Sequence, residues 1–140
     1  MGLMNNEILK KQALELRQET FIAFVEHGEA HLGGSFSLIE TLVALYEKIL
    51  TPQDKFILSK AHASFPLCLL LQKRGLKPKL TTHLEHDSKN GIHATTGSLG
   101  HGLPIATGMA LGRKMQGIDG RIIVMLSDGE CQEGTTWESL

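Results

Sequence analysis

The tetrapeptide Ser127-Asp128-Gly129-Glu130 follows directly after residues 121–126, whose apolar core after Arg121 predicts a buried strand. In parallel α/β sheets, ligands bind beyond the carboxyl ends of the strands. A carboxylate at Asp128 is therefore placed to hold a magnesium ion that neutralises a diphosphate. Gly129 would let the backbone approach a phosphate closely, because glycine has no side chain. An ordinary turn is the alternative, since Asp-Gly pairs are frequent in turns.

A second segment, Thr95 through Gly102, places three glycines ahead of a predicted helix that begins at Leu103. Free amides and the helix dipole at such a position are suited to an anion. The segment does not follow a strand, as the dinucleotide-binding fingerprint requires, so we reject an NAD-binding interpretation.

Five of the seven histidines fall between His62 and His101. Imidazoles can hydrogen-bond substrate hydroxyls and move protons near neutral pH. For any one of them, an ordinary surface or core histidine is the alternative. Their irregular spacing, without clustered cysteines, does not match structural zinc, and a histidine-based metal-binding protein is kept as a minor alternative.

Helical periodicity dominates the first 50 residues. Residues 7–27 predict an amphipathic helix that ends at Gly28, with an apolar stripe of Ile8, Leu9, Leu16, Phe24 and Val25. A glycine-containing loop is expected at residues 31–35. A capping box, with Ser37 as N-cap and Glu40 at the third helical position, then predicts a second helix that ends before Pro52.

The rest of the chain alternates strands and helices. Residues 56–59 predict a buried strand, residues 61–74 a helix with Pro66 in its first turn, and residues 77–102 a long functional loop. In the helix from Leu103 to Met115, Gly108 and Gly112 are expected to allow close packing against a sheet. Residues 121–126 predict a strand buried on both faces. This order indicates an α/β fold with a parallel sheet flanked by helices.

Composition excludes several classes of partner. The 140 residues carry 15 acidic and 14 basic side chains, which gives no electrostatic reason to bind nucleic acid or an anionic membrane. The longest apolar stretch, near residues 67–71, is too short to span a bilayer. Because no leader pattern opens the chain, we expect a cytoplasmic location.

Taken together, five segments resemble the transketolase family. The resemblance is to its N-terminal domain, which binds the diphosphate part of thiamine diphosphate. The family's motifs are Gly-His-x-Gly-Gly-Ser, Phe-Ile-Leu-Ser-Lys-Gly-His-Ala, Gly-His-Pro-Glu, Thr-Thr-Gly-Ser-Leu-Gly-Gln-Gly and Gly-Asp-Gly-Glu-x-Gln-Glu-Gly. They correspond in order to residues 30–35, 56–63, 82–85, 95–102 and 127–134. The Leu-Ser-Lys-x-His motif favours transketolase over the related deoxyxylulose-phosphate synthases. The sequence is most similar to transketolases encoded as two chains.

The resemblance implies a role for each matching residue. Asp128 would ligate Mg²⁺ (or Ca²⁺), Gly129 and His62 would face the diphosphate, and Gly97 and Leu99 would line the thiazolium and aminopyrimidine rings. His31 and His83 would contact sugar hydroxyls and assist proton transfer, and Glu133 would lie at a dimer interface. The implied reaction transfers a two-carbon ketol unit from a ketose phosphate to an aldose phosphate on thiamine diphosphate.

Several departures from the family pattern accompany the matches. Ala30 replaces a glycine, His101 a glutamine, Ser127 a glycine, and His93 stands where the family commonly has glutamate. The family's metal-binding asparagine and its activating glutamate have no counterpart in these 140 residues. The chain is therefore interpreted as one partial thiamine-diphosphate domain, incomplete at its C-terminus, with N-terminal helices over residues 7–50 and an α/β part over residues 55–140.

Such a chain is expected to be inactive without further chain or a partner. The expected partners are sugar phosphates and either a second copy, as a homodimer, or a complementary C-terminal transketolase chain. The alternative function is a non-catalytic assembly or regulatory module that keeps the transketolase fold.

Overall fold

The computed structural model describes residues 2–28 and 31–140 and contains two units. The first unit comprises the chain up to Leu50 together with His62–Thr82. The second unit comprises Thr51–Ala61 and His83–Leu140. The helices and strands are α1 (Gly2–His27), α2 (Leu32–Phe36), α3 (Ile39–Ala44, continued by a π-helical turn over Leu45–Ile49), β1 (Lys55–Leu58), α4 (Phe65–Lys73), α5 (Gly102–Gln116), β2 (Ile122–Met125) and α6 (Gly134–Glu138).

In the first unit, α1 packs against α3 and α4. The buried face of α1 consists of Ala13, Leu16, Thr20 and Ala23, spaced three or four residues apart. The predicted stripe was therefore wrong in part, since Ile8 and Val25 are 54% and 63% exposed. Apart from Leu16, the packing face uses small side chains, and Thr20 satisfies its hydroxyl by donating to the Leu16 carbonyl at 2.7 Å.

The predicted capping box at Ser37 and Glu40 is wrong, as is the predicted loop at residues 31–35. Residues 32–36 are themselves helical, so Ser37 follows a helical turn and has αR backbone angles (φ −66°, ψ −15°) instead of the extended angles of an N-cap. Its hydroxyl donates to the Gly34 carbonyl, and the N-cap of α3 is Leu38. The Glu40 carboxylate pairs instead with Arg17, which lowers the pKa of Glu40.

In the second unit, β1 and β2 pair in parallel, from Lys55 opposite Ile122 to Leu58 opposite Met125. The core beneath them joins Ile57, Ala94 and Ala106, with Met109, Ile122 and Val124 packed against these three. Parallel pairing and flanking helices confirm the predicted α/β fold class. The residue bounds predicted for β1, α4 and α5 are confirmed to within a few positions.

A buried carboxylate fixes the amino ends of the two strands. Asp54 accepts hydrogen bonds from the Thr51 amide (2.9 Å) and from the amide and guanidinium of Arg121 (2.7 and 2.6 Å). The Arg121 guanidinium holds the pKa of Asp54 well below its usual range. This contact sets the register because it ties the residue before β1 to the residue before β2.

Two predictions about the sheet and its covering helix are contradicted. All four residues of β2 are only half-buried, because in the described chain β2 pairs with β1 alone and its other edge is unpaired. Gly108 and Gly112 do not pack closely against a sheet. Apart from the adjacent residues and the backbone of α5 itself, no described atom lies within 4 Å of the position that a β-carbon would take at either glycine.

The predicted long loop has an ordered internal structure. Two antiparallel bridges, Leu84 to Thr96 and Asp87 to Ile92, fold residues 84–96 back on themselves around a turn at Gly91 (φ 83°). The Thr96 hydroxyl donates to the Leu58 carbonyl at 2.8 Å. The loop is therefore attached to the carboxyl end of β1.

None of the helices in residues 2–28 and 31–140 combines the length and apolar character needed to cross a membrane.

The first residue of α5 has no room for a side chain. A β-carbon at Gly102 would lie 2.3 Å from Ser59 Oγ and 2.8 Å from its α-carbon. We therefore predict that Gly102→Ala lowers the free energy of unfolding by about 1–3 kcal/mol through overpacking. Gly108→Ala, in the open part of the same helix, is the matched control and should stabilise by about 0.5–1 kcal/mol. Urea unfolding of both variants measures the difference, and equal effects would contradict the packing described.

Candidate functional site

Asp128 and Gly129 lie where the sequence predicts them, just beyond the carboxyl end of β2. The neighbouring carboxyl end of β1 is joined to it, because the Ser59 amide donates to the Met125 carbonyl at 3.0 Å. Asp128 is exposed, and outside the residues adjacent to Gly129 no described atom lies within 4 Å of a β-carbon built there. An exposed carboxylate and an open stretch of backbone therefore adjoin at the edge where parallel sheets bind ligands.

Glu130 is the residue that sequence reasoning missed. It is fully buried (0% exposed), and its carboxylate accepts hydrogen bonds from the Ser127 amide (2.8 Å), the Ser127 hydroxyl (3.1 Å), the Ser59 hydroxyl (2.5 Å) and the Gly100 amide (3.1 Å). The Glu130 amide donates in turn to Ser127 Oγ. This reciprocal pair is the hydrogen-bond pattern of a capping box, so the Ser-x-x-Glu spacing was the signal that could have found it.

The anion predicted at the N-terminus of α5 is in part supplied by the protein itself. The Gly102 amide donates to Ser59 Oγ at 3.1 Å, and Ser59 Oγ donates to Glu130 Oε1. Gly100, two residues earlier, donates directly to the same oxygen. Two amides that the sequence offered to an external anion are thus bonded within the chain.

Lys60, another residue that sequence reasoning did not select, carries a buried positive charge at this edge. It is 9% exposed, and burial lowers its pKa, while the charges of Asp128 and Glu130 act in the opposite direction. An ammonium within electrostatic reach of two carboxylates offers positive charge to a phosphate group.

His83 and Gly97 are brought together as a pair. A β-carbon at Gly97 would lie 2.6 Å from Cδ2 of the His83 ring, so the imidazole rests directly against the glycine backbone. His83 is exposed, and Leu99, two residues beyond Gly97, leaves 44% of its surface exposed. The arrangement presents an imidazole edge and an apolar side chain from one loop.

Glu133 is exposed and lies against Gly100. A β-carbon at Gly100 would come within 2.7 Å of Glu133 Cβ and 2.5 Å of Thr135 Oγ1, and Gly100 has φ +75°. Both constraints require glycine at this position. The position of Glu133 at a dimer interface stays a prediction.

The first unit contains the other two predicted histidines, His31 and His62, and brings them together. Their ring centroids lie 5.0 Å apart with an edge-to-face angle of 69°. Gly34 lies against His62, since a β-carbon there would be 3.3 Å from the ring. His31 is exposed and His62 half-buried, so both imidazoles reach the surface of this unit. Ala30, the first residue of the motif, lies outside the described residues.

The described residues contain no group of three or more His, Cys, Asp and Glu side chains that could hold a metal ion. The histidine-based metal-binding alternative therefore has no ligand cluster in the ranges 2–28 and 31–140.

Residues 1–140 match the protein-family model described as 1-deoxy-D-xylulose-5-phosphate synthase. The chain belongs to this family. Among the curated relatives of this family member, a 6-deoxy-6-sulfo-D-fructose transketolase subunit of Clostridium sp. is 33% identical over 94% of the chain and 55% of its own length. An apulose-4-phosphate transketolase subunit of Actinobacillus succinogenes is 31% identical with the same coverages. A chloroplastic 1-deoxy-D-xylulose-5-phosphate synthase 1 of rice is 29% identical over 94% of the chain and 19% of its own length.

The motif-based resemblance is thus confirmed at the level of a family that includes both synthases and transketolase subunits. The chain spans about half the length of the transketolase subunits it matches.

His93, where the transketolase pattern commonly has glutamate, is half-buried in the loop. Burial lowers the pKa of His93 to about 4, and the positive charges of Lys55, His86 and Arg113 add to the effect. An unfolded histidine titrates near its ordinary value of about 6.5. Between these two values the unfolded chain binds a proton that the native chain does not.

We therefore predict that His93 contributes fully to the free energy of unfolding above about pH 6.5. This contribution is lost progressively as the pH falls from about 6.5 to about 4. His93→Gln should flatten the decline in unfolding free energy between pH 7 and pH 4.5, measured by urea unfolding. His101→Gln, which removes an exposed imidazole, is the matched control. A variant at position 93 whose pH profile parallels that of the wild type would contradict this assignment.

Proposed function

We propose that this chain is the N-terminal part of a transketolase-type transferase that uses thiamine diphosphate. The observation that carries the proposal is the exposed Asp128 carboxylate beside the open Gly129 backbone, at the carboxyl ends of two adjacent parallel strands. Membership of the family and the two relatives named as transketolase subunits support it. The complete reaction would transfer a two-carbon ketol unit from a ketose phosphate to an aldose phosphate.

The second unit fits the diphosphate of such a cofactor. Gly129 offers backbone that a phosphate can approach closely, and Lys60 offers a buried positive charge. Asp128 would share Mg²⁺ or Ca²⁺ with the diphosphate, which fits the preference of both ions for oxygen ligands. When bound, thiamine diphosphate supplies the carbon centre that stabilises negative charge during ketol transfer.

The histidines supply hydrogen bonds and proton transfer to the sugar in this proposal. His83 is held against Gly97 with its ring exposed, which suits a donor or acceptor for a substrate hydroxyl. In the first unit, the ring of His31 is exposed beside that of His62, and His62 is assigned to the diphosphate. Gly97 and Leu99 are assigned to the surroundings of the cofactor rings.

The cofactor proposal predicts calorimetric binding of thiamine diphosphate that depends on Mg²⁺. Asp128→Asn should abolish or strongly weaken binding, because the amide oxygen is a weaker metal ligand and the negative charge is lost. Asp119→Asn, which removes the same charge from an exposed residue ahead of β2, is the matched control and should bind as the wild type does. Equal binding by the two variants would contradict the role of Asp128. Absence of binding by the wild type with Mg²⁺, even with a partner chain present, would favour the non-catalytic module.

We also propose a complementary transketolase chain as the partner. One face of α5 presents Ile105, Gly108, Leu111, Gly112 and Met115 at helical spacing, and Leu111 and Met115 are 58% and 79% exposed. The open glycines on this face would let a partner helix approach closely. Two relatives named as subunits, each about twice as long as the match, favour a complementary chain over a second copy.

Leu111→Glu is therefore predicted to weaken association at least tenfold, because it buries a charge in an apolar contact. The chain is co-purified with a C-terminal transketolase chain from the same genome, and light scattering of the product measures their association. Ala110→Glu adds the same charge to an exposed position about 100° around the helix and is the control. A chain that dimerises with itself would favour the homodimer, and association unaffected by Leu111→Glu would exclude this face.

A further inference from the structure

Glu130 is the most completely buried carboxylate among the described residues. Its two oxygens divide the hydrogen bonds between them. Oε2 accepts from the Ser127 amide and hydroxyl, and Oε1 accepts from the Ser59 hydroxyl and the Gly100 amide. A buried charge is tolerated when its lone pairs are satisfied in this way.

The bonds to Oε2 close the turn that contains Asp128 and Gly129. Ser127 precedes these two residues and Glu130 follows them, so the reciprocal bonds between Ser127 and Glu130 fix both ends of the dipeptide. The Glu130 carbonyl also accepts from the Thr136 hydroxyl at 2.7 Å, which holds the turn against the start of α6. The direction of the Asp128 carboxylate therefore depends on a side chain two residues away.

The bonds to Oε1 tie this turn to two segments that are distant in the sequence. Ser59 follows β1, and Gly100 belongs to the loop that also holds Gly97 and Leu99. Ser59 Oγ relays the contact to the Gly102 amide, the first of α5. The negative charge thus lies at the N-terminus of a 15-residue helix, where the helix dipole stabilises it.

We propose that Glu130 is a positioning residue that sets the Asp128–Gly129 turn and the Gly97–Gly100 loop in register for one bound diphosphate cofactor. It does not touch the cofactor. Its carboxylate accepts four hydrogen bonds from donors of the chain. Glu130 therefore acts on the cofactor only through Asp128 and Gly129. This inference rests on the proposed function, which supplies the ligand.

Asp54 provides a matched control, because it is the corresponding buried carboxylate at the opposite ends of the same two strands. Asp54→Asn and Glu130→Gln each replace a carboxylate by an amide of nearly equal size. In Glu130→Gln, the new amino group cannot accept from the Ser127 or Gly100 amide, so one of these contacts is lost. Both variants should be less stable than the wild type, and only Glu130→Gln should disturb the site.

The experiment combines two readouts on the full 140-residue chain. Without cofactor, amide hydrogen exchange should lose protection at Gly100 or Ser127 in Glu130→Gln, and at Thr51 or Arg121 in Asp54→Asn. With thiamine diphosphate and Mg²⁺, calorimetry should show at least roughly tenfold weaker binding by Glu130→Gln, at a temperature where both variants are folded, and binding within about twofold of wild type by Asp54→Asn.

Unchanged protection at Gly100 and Ser127, or binding by Glu130→Gln as tight as by Asp54→Asn, would overturn the inference. If the wild type binds no thiamine diphosphate even with a partner chain present, the proposed function fails, and exchange at Gly100 and Ser127 alone then decides whether Glu130 positions these segments. If Glu130→Gln does not fold, Ser59→Ala removes only the hydroxyl that donates to Oε1 and accepts from the Gly102 amide. It should reduce protection at Gly102 while leaving Ser127 protected, and the reverse pattern would overturn the inference.

Discussion

The second unit depends on the parallel pairing of β1 with β2, and a buried carboxylate fixes that pair at each end. Asp54 ties the amino ends together through Arg121, and Glu130 ties the carboxyl ends through Ser59 and Ser127. Two four-residue strands bury little apolar surface, so correct register requires such directional contacts. Because buried carboxylates must be fully hydrogen-bonded, each one also fixes the loops that donate to it.

The same constraint explains why the candidate site lies at one edge of the pair. At the amino ends, Asp54 is paired with the guanidinium of Arg121. At the carboxyl ends, Glu130 is satisfied by amides and hydroxyls, which leaves Asp128 exposed and Lys60 within reach of both carboxylates. The chain therefore separates a carboxylate that organises the loops from a carboxylate that is available to a ligand.

The strands and the position of the candidate site could be predicted from the sequence, because both depend on local residue patterns. The apolar runs identified both strands, and the Asp-Gly pair after the second one located the candidate site. The Ser-x-x-Glu pattern, however, occurs at both Ser37 and Ser127, and only the second forms the reciprocal bonds. Ser37 follows a helical turn that the sequence did not reveal. The buried face of α1 was also misassigned, because packing selected Ala13 and Thr20 over the larger Ile8 and Val25.

Backbone chemical-shift mapping during titration with thiamine diphosphate and Mg²⁺ reports directly where the ligand binds. If the site lies at the carboxyl ends of the strands, the largest changes in the second unit are expected at Lys60, Gly97 to Gly100 and Asp128 to Glu130. Changes centred on Thr51, Asp54 and Arg121, at the amino ends, would contradict this placement.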